Sequence, residues 1–181
     1  AGSNGGGIYS TGAVNAKKIN LEGNKAASGG GIYNTKVFNV EDLLLKNNSA
    51  TAYGGGIYHA GLTMTIERLS ALSNTSALFG GAIYNAAIIK IDNAIFNRNS
   101  TTTASTSAFG GGMYHASGTS TLSNTTFSNN TTAFVHATTN SGAGFYAKNS
   151  ISSIATISNS IFWGNTRGGG LVDELGFAVP A

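Results

Sequence analysis

The sequence predicts an all-β fold: a parallel β-helix of about seven coils, wound as a single domain over residues 1–181. Two motifs recurring in phase and a set of short period-two segments between them carry this expectation. The first motif reads GGGIY at Gly5, Gly29 and Gly54, GGAIY at Gly80, GGGMY at Gly110, GAGFY at Gly142 and GGGLV at Gly168. Its starts lie 24, 25, 26, 30, 32 and 26 residues apart, a spacing typical of stacked repeat architectures. The second motif is an apolar residue followed three positions later by Asn: Leu21 and Asn24, Leu45 and Asn48, Ala71 and Asn74, Phe96 and Asn99, Phe127 and Asn130, Phe162 and Asn165.

From Gly start to Asn the distance stays at 19 or 20 residues for five repeats and reaches 23 in the sixth. From Asn to the next Gly it varies, at 5, 6, 6, 11, 12 and 3 residues. Insertions therefore concentrate at one corner of the coil, as expected when each repeat is one solenoid turn. Between the motifs run segments such as TMTIERL from Thr63, AIIKIDNAIF from Ala87 and IATISNSIF from Ile154, which alternate like strands. A helical repeat would need longer apolar stripes and far fewer than the 26 glycines present.

Taken in order along a coil, the glycines supply a sharp turn. The next residue, Ile8, Ile32, Ile57, Ile83, Met113, Phe145 or Leu171, is apolar and is placed inside. Alternation then turns Tyr9, Tyr33, Tyr58, Tyr84, Tyr114 and Tyr146 outward as an aromatic strip, a candidate binding surface. Equivalent residues of successive coils stack at about 4.8 Å. The Asn column, Asn24, Asn48, Asn74, Asn99, Asn130 and Asn165, is expected to form an internal ladder, each amide satisfying its neighbours. The final segment 171–181, LVDELGFAVPA, breaks the pattern and reads as a C-terminal cap.

The Gly-Gly-Ala/Gly-aliphatic motif together with FxxN, seen strictly as FNRN, FSNN and FWGN, resembles the polymorphic outer-membrane-protein repeats of bacterial surface proteins. The resemblance runs from Gly5 to about Gly170. It implies the right-handed parallel β-helix of autotransporter passengers, a role in surface display or adhesion, and a location outside the cell, on the bacterial outer surface. No membrane-anchoring barrel is recognisable beside it.

Composition excludes several functions. Ten basic and seven acidic residues are spread thinly, without the concentrated stripe that nucleic acid requires. No apolar run reaches membrane-spanning length, so direct insertion is not expected. Absent Cys removes disulfides and thiolate metal sites. The glycine motifs lack the Lys-Ser/Thr of a phosphate loop and the Asp of calcium-binding glycine repeats, so no cofactor or metal is expected there. His59 and His115 share a repeat position with Asn85 between them, and are read as exposed ladder residues too far apart for one metal. His136 lies in an insertion.

No catalytic residue is assigned. The alternative function is a polysaccharide lyase or glycoside hydrolase on a pectin-lyase-like β-helix, which needs paired carboxylates. The best candidates are Glu41, Glu67 and Asp92, each seven residues before the Asn of its coil and so expected to stack. The insertions STTTASTSAF after Asn99 and TTAFVHATTNSGA after Asn130 should protrude together. Expected partners are a glycan or a surface protein of a host or neighbouring cell, with head-to-tail self-association as a further option.

Overall fold

The computed structural model describes residues 3–104, 107–134, 140–148 and 152–177, and among the described residues there are strands joined by bends, turns and short irregular links, with no helix. Three sheets of seven strands each wrap around one core. The first contains Ile8–Ser10, Ile32–Asn34, Ile57–His59, Ile83–Asn85, Met113–His115, Phe145–Ala147 and Leu175–Phe177, in that spatial order. The second is built of longer strands: Val14–Glu22, Phe38–Lys46, Thr63–Leu72, Ile88–Asn97 and Gly118–Ser128, then Ser153–Ser158 and Ile161–Trp163 end to end along the same edge of the last of these. The third holds Lys25–Ser28, Ser49–Tyr53, Thr75–Ser76, Ser100–Thr101, Thr131–Thr132 and Thr166–Arg167, all parallel, with Leu171–Val172 folded back antiparallel on the end. The fold is a parallel β-helix, and each repeat is one coil.

The register follows the sequence motifs. Ile8, Ile32, Ile57, Ile83, Met113 and Phe145 stand in one column. All but Ile8 in the first coil are fully buried. Phe38, Leu45, Met64, Ile66, Ile89, Phe96, Leu122 and Phe127 close the core from the long sheet. Within it Phe96, Phe127 and Phe162 stack at 4.4 and 4.8 Å. Burial of each such side chain contributes about 1.5–3 kcal/mol.

The first glycine of the first six motifs has a positive φ, between 55° and 69° for Gly5, Gly29, Gly54, Gly80, Gly110 and Gly142. This left-handed turn carries the chain from the third sheet back to the first. The corner between second and third sheets repeats another left-handed position, at Gly23, Asn47, Ser73, Arg98, Asn129 and Gly164, each directly before a ladder Asn.

One expected coil is shifted. Leu171 was expected inside as the seventh apolar position, but it is 52% exposed and pairs antiparallel with Arg167. The column is continued instead by Leu175, opposite Phe145. Gly168 follows Asn165 by only three positions, so the two residues between them make the third-sheet strand Thr166–Arg167 with none left to reach the turn, and the chain runs on before rejoining the first sheet. Residues 178–181 of the expected cap, and His136, lie outside the described residues.

Candidate functional site

The Asn column forms a polarised ladder. Asn24 donates its backbone N–H and Nδ2 to Asn48 Oδ1 at 3.0 and 2.9 Å. Asn48 does the same to Asn74, Asn74 to Asn99, Asn99 to Asn130, and Asn130 to Asn165. Each Nδ2 from Asn48 onward also donates at 2.9 Å to the carbonyl of the apolar motif residue one coil earlier: Leu21, Leu45, Ala71, Phe96 or Phe127. Two bonds given and two accepted leave the buried amide satisfied, the condition for polar groups at zero exposure. At the end of the column Glu174 Oε2 takes the acceptor role, receiving Asn165 N–H and Nδ2.

A second buried polar column stands beside the tyrosines. Ser10, Asn34, His59, Asn85 and His115 occupy successive coils. The two histidines were expected to be exposed, yet both are at 0% exposure. The reason is alternation: with Ile inside and Tyr outside, the third strand residue turns inward again. Asn34 Nδ2 lies 3.0 Å from His59 Nδ1, and Asn85 Nδ2 lies 3.1 Å from His115 Nδ1, which Ser120 Oγ also reaches at 2.8 Å. Burial pushes the His59 imidazole below its ordinary range and that of His115 down to about 4. Neutral rings fit donation from Asn Nδ2 into Nδ1.

This gives a pH prediction. His115 titrates near 6.5 when unfolded and about 4 when folded, so its stabilising contribution is full above pH 6.5 and is lost as pH falls towards 4. The loss is on the order of 3 kcal/mol. Asn occupies the neighbouring positions of the same column, so His115→Asn should leave stability at pH 7 nearly unchanged and flatten its acid dependence, measured by urea denaturation between pH 7 and 4.

The tyrosine column stacks face to face. Ring centroids are 5.2 Å apart for Tyr9 and Tyr33, 4.7 Å for Tyr33 and Tyr58, 4.9 Å for Tyr58 and Tyr84, and 5.5 Å for the next two pairs. Interplanar angles stay between 1° and 13°. The outward strip is open over its first four members only. Tyr9 is 58% exposed and Tyr33, Tyr58 and Tyr84 are half-buried, whereas Tyr114 and Tyr146 fall to 6% and 8%.

A second aromatic column covers those two. Tyr53, Phe79 and Phe109, the residues directly before three Gly motifs, pair coil to coil. Phe79 lies 4.6 Å from Tyr114, Phe109 lies 4.6 Å from Tyr146, and Phe134 lies 5.1 Å from Phe109. Phe109 and Phe134 come from the insertions. In part, then, these pack down onto the tyrosines rather than protruding. Burial raises the phenol pKa of Tyr58, Tyr84, Tyr114 and Tyr146, which keeps their hydroxyls protonated.

On the long sheet, Glu41, Glu67 and Asp92 follow the in-register residues Val40, Ile66 and Ile91 and so stack. Arg68 donates to Asp42 through Nε at 2.6 Å and through an Nη at 3.2 Å, and lies within 3.5 Å of Glu67 and 3.9 Å of Glu41. That guanidinium holds the Asp42 carboxyl below its usual range, and hydrogen bonds from Ser123 and Asn124 do the same for Asp92. A general acid for glycoside cleavage needs the opposite shift. A shallow groove of about 650 Å³ beside them is lined by Lys18, Asp42, Arg68, Leu44 and Ile95, among others.

Stacked coils, an amide spine and an aromatic column on one face define the molecule as a parallel β-solenoid of the repeat-protein class. Residues 42–60 match the family model of the Chlamydia polymorphic membrane protein repeat. The matched segment spans the Asn48 corner, the strand Ser49–Tyr53, the Gly54 turn and the strand Ile57–His59, so the family's repeat coincides with structural elements of one coil. Comparisons with curated proteins and with solved structures return no match.

Proposed function

We propose that the chain is a non-enzymatic module of a bacterial surface protein, placed outside the cell and acting in adhesion or as a scaffold that holds a contact surface rigid. The observation that carries this reading is the open run Tyr9, Tyr33, Tyr58 and Tyr84 along one face of a rod whose interior is filled. The repeat match supports the surface setting, because that family is named for membrane proteins. Rings locked by stacking lose little further entropy on binding, which suits aromatic residues to contact surfaces. The faces of Tyr33 and Tyr58 are already occupied by their neighbours, so the strip offers ring edges and hydroxyls. Edges and hydroxyls favour a protein partner over sugar rings, which would need a free aromatic face.

The test is retention of cultured epithelial cells by beads coated with the protein. Wild-type beads should hold cells, and the double variant Tyr33→Ser/Tyr58→Ser, with its circular dichroism spectrum unchanged, should lose at least tenfold in retention. Equal retention by both would overturn the assignment of the strip.

A further inference from the structure

The tyrosine strip is buried at Tyr114 and Tyr146 and partly flanked at Tyr84, and the covering group shows what fits it. Tyr53 lies 5.2 Å from Tyr84, Phe79 lies 4.6 Å from Tyr114 and Phe109 lies 4.6 Å from Tyr146. Each ring of the second column thus meets a tyrosine one coil further on. The contact is column against column, both repeating at the coil spacing of about 4.8 Å. Continued backwards, this offset assigns Tyr58 to the residue paired with Tyr53 one coil earlier, which is Ser28. Ser28 has no ring. Among the described residues Tyr9 and Tyr33 have no second-column ring beside them, and Tyr58 has only Tyr53 of its own coil, tilted and 6.4 Å away.

We propose that this open stretch docks side by side against the same stretch of a second copy of the chain, the two solenoid axes aligned and the tyrosine edges interleaved about a two-fold axis. The proposal rests on the reading of the strip as a contact surface: free copies pair through it, and a cell-surface partner binds by displacing the second copy. Pitch selects the occupant. A partner touching three or four successive rings must present groups every 4.8 Å or so along the rod. A single extended strand lying along it presents one face only every 6.4–6.8 Å, and an α-helix one turn every 5.4 Å, so each drifts out of step within a few rings. A second copy has the same pitch by construction, and a two-fold pairs each patch with itself. Phenol hydroxyls at the edge can both donate and accept between the two rows.

Sedimentation velocity over a concentration series reads the pairing, with bead retention measured on the same variants. The wild type should convert from about 18 kDa to twice that mass with rising concentration. Ser28→Tyr supplies the missing ring from within the molecule and removes no tyrosine, so it should weaken the dimer at least tenfold. Tyr33→Ser/Tyr58→Ser should do the same with the fold intact by circular dichroism. A wild type that stays monomeric to millimolar concentration, or a dimer unaffected by both variants, overturns the pairing. If that monomer still retains cells through Tyr33 and Tyr58, only the self-pairing fails. If its retention is also indifferent to those tyrosines, the contact-surface reading fails with it.

Discussion

Asn74→Ala is expected to unfold the protein or bring it close to unfolding at 25 °C. The Asn74 side chain accepts from Asn48 N–H and Nδ2 and donates to Asn99 Oδ1 and the Leu45 carbonyl. Truncation strands those groups at a site with 0% exposure. A buried orphaned polar group costs about 1–3 kcal/mol, so several together reach about 4–8 kcal/mol. That is comparable with the whole stability of an ordinary domain. Asn74→Asp keeps the shape but removes the amide donors and buries a charge, and should be no milder. By contrast Asn39→Ala removes a solvent-exposed bond to Asn15 and should cost under about 1 kcal/mol. Urea denaturation followed by circular dichroism separates the three.

Gly54→Ala should be similarly severe, for a different reason. Its φ of +61° is disfavoured by any Cβ, and the added carbon would overlap the carbonyl oxygen of Ile57. That oxygen belongs to the next strand, so the coil cannot close without shifting the first sheet. We expect more than about 3 kcal/mol, combining left-handed strain with overpacking. Two glycines calibrate the effect. Gly23 has φ +71° and open space around it, so Gly23→Ala should cost about 1–2 kcal/mol. Gly12 has open space and no left-handed φ, so Gly12→Ala should be neutral or slightly stabilising. The order Gly54, Gly23, Gly12 in thermal denaturation is the expected outcome.

The coil architecture was legible because its two motifs sit at opposite ends of a near-constant segment and each has a physical role that repetition exposes. The apolar residue three before each Asn turned out to be linked to the ladder directly: its carbonyl accepts from the Asn of the next coil. The burial of His59 and His115 was also within reach, since the alternation that faces Tyr58 outward faces His59 inward, but polar identity argued the other way. Tyr53, Phe79 and Phe109 each precede a Gly motif, a third periodic signal that the two-motif reading leaves out, and so all six tyrosines are expected to face outward although Tyr114 and Tyr146 are covered. The seventh coil was misplaced because Gly168, Gly169 and Gly170 mimic the motif while the short spacing from Asn165 rules out its geometry. Glu174 replacing an Asn as the ladder's last acceptor lies beyond sequence reasoning, because it depends on a fold-back joining residues without a repeat relation.

Function at this surface depends on which face of the rod meets its partner. Tyrosine-selective chemical labelling of the free protein and of the protein bound to cells, read residue by residue by mass spectrometry, addresses this directly. Strong labelling of Tyr9 and weaker labelling of Tyr33 and Tyr58 are expected in the free protein, all three suppressed on binding, with Tyr114 and Tyr146 low in both states. Unchanged labelling of Tyr9, Tyr33 and Tyr58 in the bound state, with carboxylate-selective labelling showing protection at Glu41, Glu67 and Asp92 instead, would contradict the tyrosine face as the contact surface.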